Sequence, residues 1–349
     1  MNIKTLHNRR TFLNGPSRGG SITVLILFCL TALLIFGVVV LNICWIHDCR
    51  AKLQATADSA SLTAAQVLLS TGDRNTAIGL AQENAEQYSI NNAAQNLAFN
   101  DFQFGSRVKN PNGSYSFLEG EFPLNSVKVI ARRDGNGTGQ ISTHLSRFVG
   151  KEFVSLSRFS VASFADHDVA IVIDASGMMN GPGRFDGVKK LLGELLTVSQ
   201  ESMVRLRFSV TLFSKDAETV LPLSGNLVQV REAIDNIALR GPRALGDGMH
   251  LGLESLFDPK NGNGDTKKSL LILTECKSPK GLDPIAVAEI AKANNVDLDI
   301  FTFTKIADIA TAQNIATASG GEHRHALTNS QLKQVLKQFI YDVPTFLIE

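Results

Sequence analysis

Residues 22–46 run for about 25 positions without a charge, enough to cross a hydrocarbon core of about 30 Å as a helix. Thr23, Thr31 and Asn42 are the clearly polar members of this run. A cleaved signal peptide is the rival reading, but its apolar region is about 7–15 residues and ends at a small-residue cleavage site. Here the run is longer and leads into Cys44-Trp45-Ile46-His47-Asp48, so a retained anchor is expected. Residues 1–20 carry Lys4, Arg9, Arg10 and Arg18 and no acid. A basic flank stays in the cytoplasm. The expectation is a single pass through the cytoplasmic (inner) membrane, the amino end inside and everything after Asp48 periplasmic or extracellular. Trp45 reads as an interface anchor.

The 34 lysines and arginines nearly balance 33 aspartates and glutamates, so nothing in the charge points to nucleic acid. The four cysteines, Cys29, Cys44, Cys49 and Cys276, form no disulfide framework. Cys49, just past the apolar run, stands where it could cross-link a homodimer, or be an ordinary buried thiol.

Past Arg50, Leu53, Ala57, Ala60, Ala64 and Val67 recur at i, i+4, i+7, i+11 and i+14, one helical face. Its alanines make a smooth stripe that a second helix could approach, either in a homo-oligomer or within the same chain. A second helix is expected over 75–95. Residues 98–165 change character. Phe102 and Phe104, Tyr115 and Phe117, and Val127, Val129 and Ala131 alternate with mostly polar neighbours, as in half-buried strands. From Asp168 onward, β segments at 169–173, 205–212, 269–274 and 298–303 alternate with helical segments at 185–196, 227–237, 245–256, 285–293 and 331–339. That alternation argues for a mainly parallel sheet covered on both faces.

The expected class is therefore α/β. A transmembrane helix is followed by a small α+β spacer and then a doubly wound, Rossmann-like domain. The expected division is 1–21 a basic cytoplasmic tail, 22–46 the membrane helix, 47–97 an Ala-rich juxtamembrane helical region, 98–165 a β-rich spacer and 166–345 the α/β head.

In an open α/β sheet, ligands meet the carboxyl ends of the strands. The strand from Val169 ends in Asp174-Ala175-Ser176-Gly177-Met178, a carboxylate and a hydroxyl two residues apart. That loop resembles the first metal-site loop, Asp-x-Ser-x-Ser, of the von Willebrand factor type A (vWA) domain. Gly241-Pro242-Arg243-Ala244-Leu245-Gly246-Asp247 is similar to the family's second loop, and Leu271-Ile272-Leu273-Thr274-Glu275 to the strand that normally ends in Thr-Asp. Ile315-Ala316 and Ser319-Gly320-Gly321 resemble the lead into the last strand.

The resemblance implies a top face built from Asp174, Ser176, Met178, Arg243 and Glu275. In the family a divalent cation such as Mg²⁺ or Mn²⁺ sits there. This chain puts a thioether at Met178 and a guanidinium at Arg243 where hydroxyls are normal, and Glu275 where an aspartate is normal. Hard cations take oxygen ligands, and a fixed positive charge repels them. The expectation is a degenerate site without metal or other cofactor. Asp174, Ser176 and Glu275 would be the ligands if any metal is retained. Arg243 is expected either to pair with Asp174 or Glu275, or to point to solvent.

Cys49-Arg50-Ala51-Lys52-Leu53-Gln54-Ala55-Thr56-Ala57-Asp58-Ser59-Ala60, behind a basic head and a long apolar helix, resembles the TadG-like proteins of Flp-type (tight-adherence) pilus assembly. The resemblance implies an envelope protein whose type A head binds another protein, with pilus-assembly components as candidate partners. The alternative is a metal-dependent adhesin for an extracellular ligand. An enzyme is not expected. Ser176 lacks a nucleophile elbow and a nearby base, His323 and His325 read as an exposed last strand, and His167 reads as a solvated lead-in.

Overall fold

A computed structural model describes residues 19–90, 93–135, 139–142, 153–239, 241–258, 266–276, 280–325 and 329–348. Helix α1 (Gly19–Thr71) is unbroken over 53 residues, so the apolar run and the Ala-rich run are one helix. It stops where Gly72 takes φ 69°, a left-handed position that glycine adopts without steric cost. Asp73 then caps α2 (Arg74–Glu86), accepting from the backbone N–H of Asn75 and Thr76.

The chain divides into two compact units. The first holds α1 up to Leu53 and residues 132–157. From Ile22 to Leu41 the large apolar side chains of α1 are largely exposed, Phe28 at 71% and Leu41 at 64%. At 1.5 Å per residue these positions span about 30 Å, the thickness of a bilayer core. This is the one helix among the described residues long and apolar enough to cross a membrane. Asn42 and Cys49 are buried. Trp45 donates its indole N–H to the carbonyl of Ser142, 3.2 Å away. Ser142 belongs to a short hairpin of strands whose bounds are Ile141–Ser142 and Phe153–Val154. Trp45, read from sequence as a membrane-interface anchor, thus spends its one donor on the chain itself. Cys49 is fully buried, and burial pushes its thiol pKa up. Cross-linking through it would require this packing to open.

The second unit holds residues 54–131 and 158–349. Numbered along the whole chain, with the pair in the first unit taking the places β6 and β7, its strands are β1 (Ser89–Ile90), β2 (Ala93–Ala94), β3 (Phe102–Lys109), β4 (Tyr115–Glu119), β5 (Ser126–Arg133) and β8 (Leu156–Phe164). The series continues with β9 (His167–Asp174), β10 (Leu206–Phe213), β11 (Ala217–Ser224), β12 (Lys267–Leu273), β13 (Asp297–Thr302), β14 (His323–His325) and β15 (Thr345–Leu347). A five-stranded sheet runs β15-β8-β5-β3-β4. Along α1, Ala57, Ala60, Ala64 and Leu68 are fully buried. Ser61 Oγ donates to Ser160 Oγ on β8 (3.2 Å), and Ser59 Oγ donates to Asn84 Oδ1 on α2 (2.7 Å). The alanine stripe therefore packs within its own chain. Of the two alternatives the sequence left open for this stripe, packing within its own chain is the one seen here.

The head is a six-stranded sheet ordered β11-β10-β9-β12-β13-β14. All pairs are parallel except β10–β11. β9 is buried at every position, as a central strand covered on both faces must be. The helices are α3 (Arg184–Glu201), α4 (Leu227–Asp235), α5 (Leu245–Phe257), α6 (Pro284–Ala293), α7 (Ile309–Ser319) and α8 (Asn329–Tyr341). One core gathers Ala170, Val172, Leu270 and Ile272 of the sheet with Met249 and Leu253 of α5 and Ile315 of α7. Helix α5 lies close on the sheet because it carries glycine there. A Cβ at Gly252 would sit 2.6 Å from Val172 Cγ2, and one at Gly248 2.7 Å from Phe213.

β15 returns to pair antiparallel with β8, Phe346 opposite Ser163. The head is thus held between two neighbouring strands of the five-stranded sheet. His167, at the base of the head, is fully buried with Nε2 2.8 Å from Ser269 Oγ and its ring against Phe339. The expectation of a solvated histidine is overturned. Its two flanking aspartates are buried as well, Asp168 by a bidentate pair with Arg207 (2.7 Å).

Candidate functional site

Three loops meet at the carboxyl ends of β9, β10 and β12. β9 delivers Asp174, which is fully buried. Its Oδ1 accepts the Ser176 backbone N–H at 2.9 Å, and its Oδ2 accepts the Thr274 hydroxyl at 3.0 Å. Ser176 then opens a 3₁₀ turn (Gly177–Asn180). Its Oγ is buried beside the Asp174 carboxylate. Met178 projects outward, 48% exposed.

The second loop is tied to the first by the Gly177 N–H, which donates to the Gly241 carbonyl at 3.2 Å. It carries Arg243, half-buried, whose carbonyl accepts the Lys280 N–H at 3.0 Å. Among the described residues no carboxylate lies within 4.0 Å of the Arg243 guanidinium. The pairing with Asp174 or Glu275 anticipated from sequence is not formed here. Arg243 is still close enough for its charge to act on Asp174. Burial pushes the Asp174 pKa up, and the donors at Ser176 and Thr274 and the Arg243 charge pull part of it back.

The third loop follows β12. Glu275 is buried. Its carboxylate accepts the Phe303 N–H (3.1 Å) and the Thr304 hydroxyl (2.8 Å) beyond β13. The extra methylene relative to aspartate gives it that reach. Cys276 follows at φ 52°, a left-handed conformation, with its N–H on Thr274 Oγ1. Burial and the nearby carboxylates of Asp174, Asp308 and Glu275 push its thiol up to about 12, so it is a poor thiolate.

The five residues picked from sequence thus come to one end of the sheet, with two departures. Glu275 is committed to another strand, and Arg243 stands apart from both acids. Sequence reasoning left Thr274 out of the set, although it is the buried donor that holds Asp174. Its signal was its place immediately before Glu275, at the end of a buried strand. His323 and His325 lie on one face of the half-buried edge strand β14, both against Thr302 Oγ1 at 2.9 and 2.7 Å. They are satisfied within the sheet. Among the described residues no group of three His, Cys, Asp or Glu side chains suited to a metal ion occurs.

The donor chemistry can be tested against a resident divalent cation. Asp174 and Ser176 Oγ would supply oxygen. The second loop offers a guanidinium, Met178 a thioether, and the Glu275 carboxylate is taken up by Phe303 and Thr304. Two protein oxygens beside a fixed positive charge do not fit a hard cation that takes about six oxygens.

Residues 168–341 match the family model of the von Willebrand factor type A domain, and residues 20–67 match that of the putative Flp pilus-assembly TadE/G-like proteins. The chain carries both segments. Among solved structures, an aerotolerance-related membrane protein from Bacteroides fragilis NCTC 9343 is 18% identical, covering 50% of this chain and 98% of that one at a TM-score of 0.43. BatB, a conserved hypothetical protein from Bacteroides thetaiotaomicron, is 16% identical, covering 50% of this chain and 97% of that one at 0.43. Proximal thread matrix protein 1 of the mussel byssus, with a zinc-occupied MIDAS motif, is 15% identical over 53% of this chain and 47% of that one, also at 0.43. No curated protein matches the chain.

Proposed function

From a type A domain carried behind a TadE/G-like segment, we propose that this chain is a single-pass envelope protein that presents a degenerate type A head for protein–protein interaction in Flp-type pilus assembly or envelope organisation. The amino end stays in the cytoplasm and the head faces the periplasm or the cell exterior. The basic residues 4, 9, 10 and 18 and the apolar span support that orientation. The head is a binding module and not an enzyme.

One observation carries the reading. The loop face brings a half-buried arginine without an ion pair beside a buried acid, with an exposed methionine at its rim. Such a face offers contact area and charge without a nucleophile–base pair. The test is a photo-crosslinking amino acid at position 178 in living cells. Adducts between this chain and another protein are expected. Their absence, with the head folded and at the membrane, removes the interaction reading. Orientation is tested separately with Ser114→Cys, an exposed site in the second unit. A membrane-impermeant thiol reagent should label it in cells with a permeable outer layer, and labelling only after lysis reverses the topology.

The metal-dependent adhesin keeps one observation in its favour. Ser176 Oγ is a buried oxygen beside the buried Asp174 carboxylate. A cation would satisfy both.

A further inference from the structure

We propose that Arg243 acts where a cation would, offering its guanidinium beside the buried Asp174 to an acidic side chain of a protein partner, so that the head recognises an acidic segment without metal. The inference rests on the reading of the head as a protein-binding module and adds the chemistry of its partner.

Asp174 is a fully buried carboxylate whose hydrogen bonds come from neutral donors, the Ser176 N–H and the Thr274 hydroxyl. Among the described residues it has no cation within 4.0 Å. Arg243 is the cation on the neighbouring loop, its charge felt at Asp174 without an ion pair between them. Its loop is fixed to the Asp174 loop through Gly177 and Gly241, and to the following segment through Lys280. Its guanidinium has no carboxylate of its own. Glu275, the nearest competitor, is occupied by Phe303 and Thr304. A guanidinium has five N–H donors in a planar fork. With no carboxylate of its own, that fork is open to an oxygen pair arriving from outside. Ser176 Oγ is a further buried hydroxyl beside Asp174.

The surroundings favour an anion. Lys215 and Lys280 are exposed and make no ion pair among the described residues. Lys215 borders Gly241, where an added Cβ would stand 3.5 Å from its backbone nitrogen, and Lys280 is bonded to Arg243 itself. The acids of the same region are largely committed. Asp308 accepts from Thr311, and Asp247 accepts from the Leu282 N–H. Asp216 is exposed and stands beside Lys215.

The test uses the full chain in lipid nanodiscs with EDTA present. A fluorescein-labelled hexaglutamate peptide is titrated and followed by anisotropy, with hexalysine as the opposite-charge probe. Hexaglutamate is expected to bind, more weakly at high salt, and hexalysine not to bind. Arg243→Gln, with an unchanged melting temperature, should weaken hexaglutamate by about tenfold or more. Arg243→Lys should fall between, keeping the charge and losing the fork. Equal binding by Arg243→Gln, or binding that appears only with Mg²⁺, overturns the proposal. The crosslinker at position 178 separates the two levels. Protein adducts that persist unchanged in Arg243→Gln overturn the role of the arginine and leave the interaction reading standing. No adducts in the wild type overturn that reading itself.

Discussion

Thr274 Oγ1 donates to Asp174 Oδ2 at 3.0 Å, joining the ends of two adjacent parallel strands through two fully or nearly fully buried side chains. The same Thr274 oxygen accepts the Cys276 N–H, so one hydroxyl organises two loops. Replacing it by valine keeps the shape and removes both roles. Thr274→Val should destabilise the folded chain by about 1–3 kcal/mol, the cost of leaving a buried polar group unsatisfied. Denaturant melts measure this, and an unchanged midpoint would refute it.

Asp174 itself should be a stability liability. Its folded pKa lies above its unfolded one because burial disfavours the charge. A group of this kind contributes stability below its unfolded pKa and loses it as pH rises through the folded pKa. Asp174→Asn should therefore raise the melting temperature at neutral pH, and the gain should shrink toward pH 4. A variant that is less stable than the wild type at pH 7 would contradict this.

His167 works in the opposite direction. Full burial, with the Lys267 charge adding to it, lowers its pKa to about 3, so the folded state holds it neutral. The unfolded chain takes up a proton near its ordinary pKa of about 6.5. Stability from this group is thus complete above about pH 6.5 and falls by roughly 1.4 kcal/mol per pH unit below it. Chemical denaturation at pH 7.5, 6.5 and 5.5 should show that slope in the wild type and a shallower one in His167→Gln. The comparison is of slopes, because the substitution also removes a buried contact to Ser269.

Metal should not stabilise the wild type. A ligand that binds only the folded state raises stability by RT ln(1 + [L]/Kd), about 2.7 kcal/mol at 100 times Kd. Melts of the full chain in Mg²⁺, in Mn²⁺ and in EDTA should coincide. The triple substitution Met178→Ser, Arg243→Thr and Glu275→Asp should gain an EDTA-reversible upward shift. A shift already present in the wild type would move the adhesin reading to first place.

The alanine face of α1 offers a packing test. Ala60 is fully buried, and Gln66, six residues on and on another face, is exposed. Ala60→Leu should cost about 1–3 kcal/mol by overpacking, and Gln66→Leu should be near neutral. If Ala60→Leu instead changes the oligomeric state and leaves stability unaltered, the stripe is an intermolecular surface after all.

The long apolar helix, the alternation of the head and the place of its top-face loops were all legible along the chain. Each is written in local pattern. An uncharged run, a buried β-branched strand ending at Asp174 and helical periodicity in 245–256 need no long-range information. The short strand β15 and the antiparallel β11 were not legible: β11 exists by pairing back on β10, and β15 by pairing with a partner distant in sequence. Thr345–Leu347 is a strand only because Ala162–Phe164 offers it an edge.

By itself the sequence determined which chemistries are present at the top face, an acid, a hydroxyl, a thioether and a guanidinium, and so that a standard metal set is missing. Tertiary structure decided how those groups are used. Whether Glu275 meets Asp174 or Phe303, whether Arg243 pairs or stands free, and whether His167 is wet or dry all depend on contacts between strands far apart in the chain. A side chain's type fixes what it can donate, accept or repel. Its surroundings fix whether water, a neighbour or nothing answers, and those surroundings exist only after the sheet has formed.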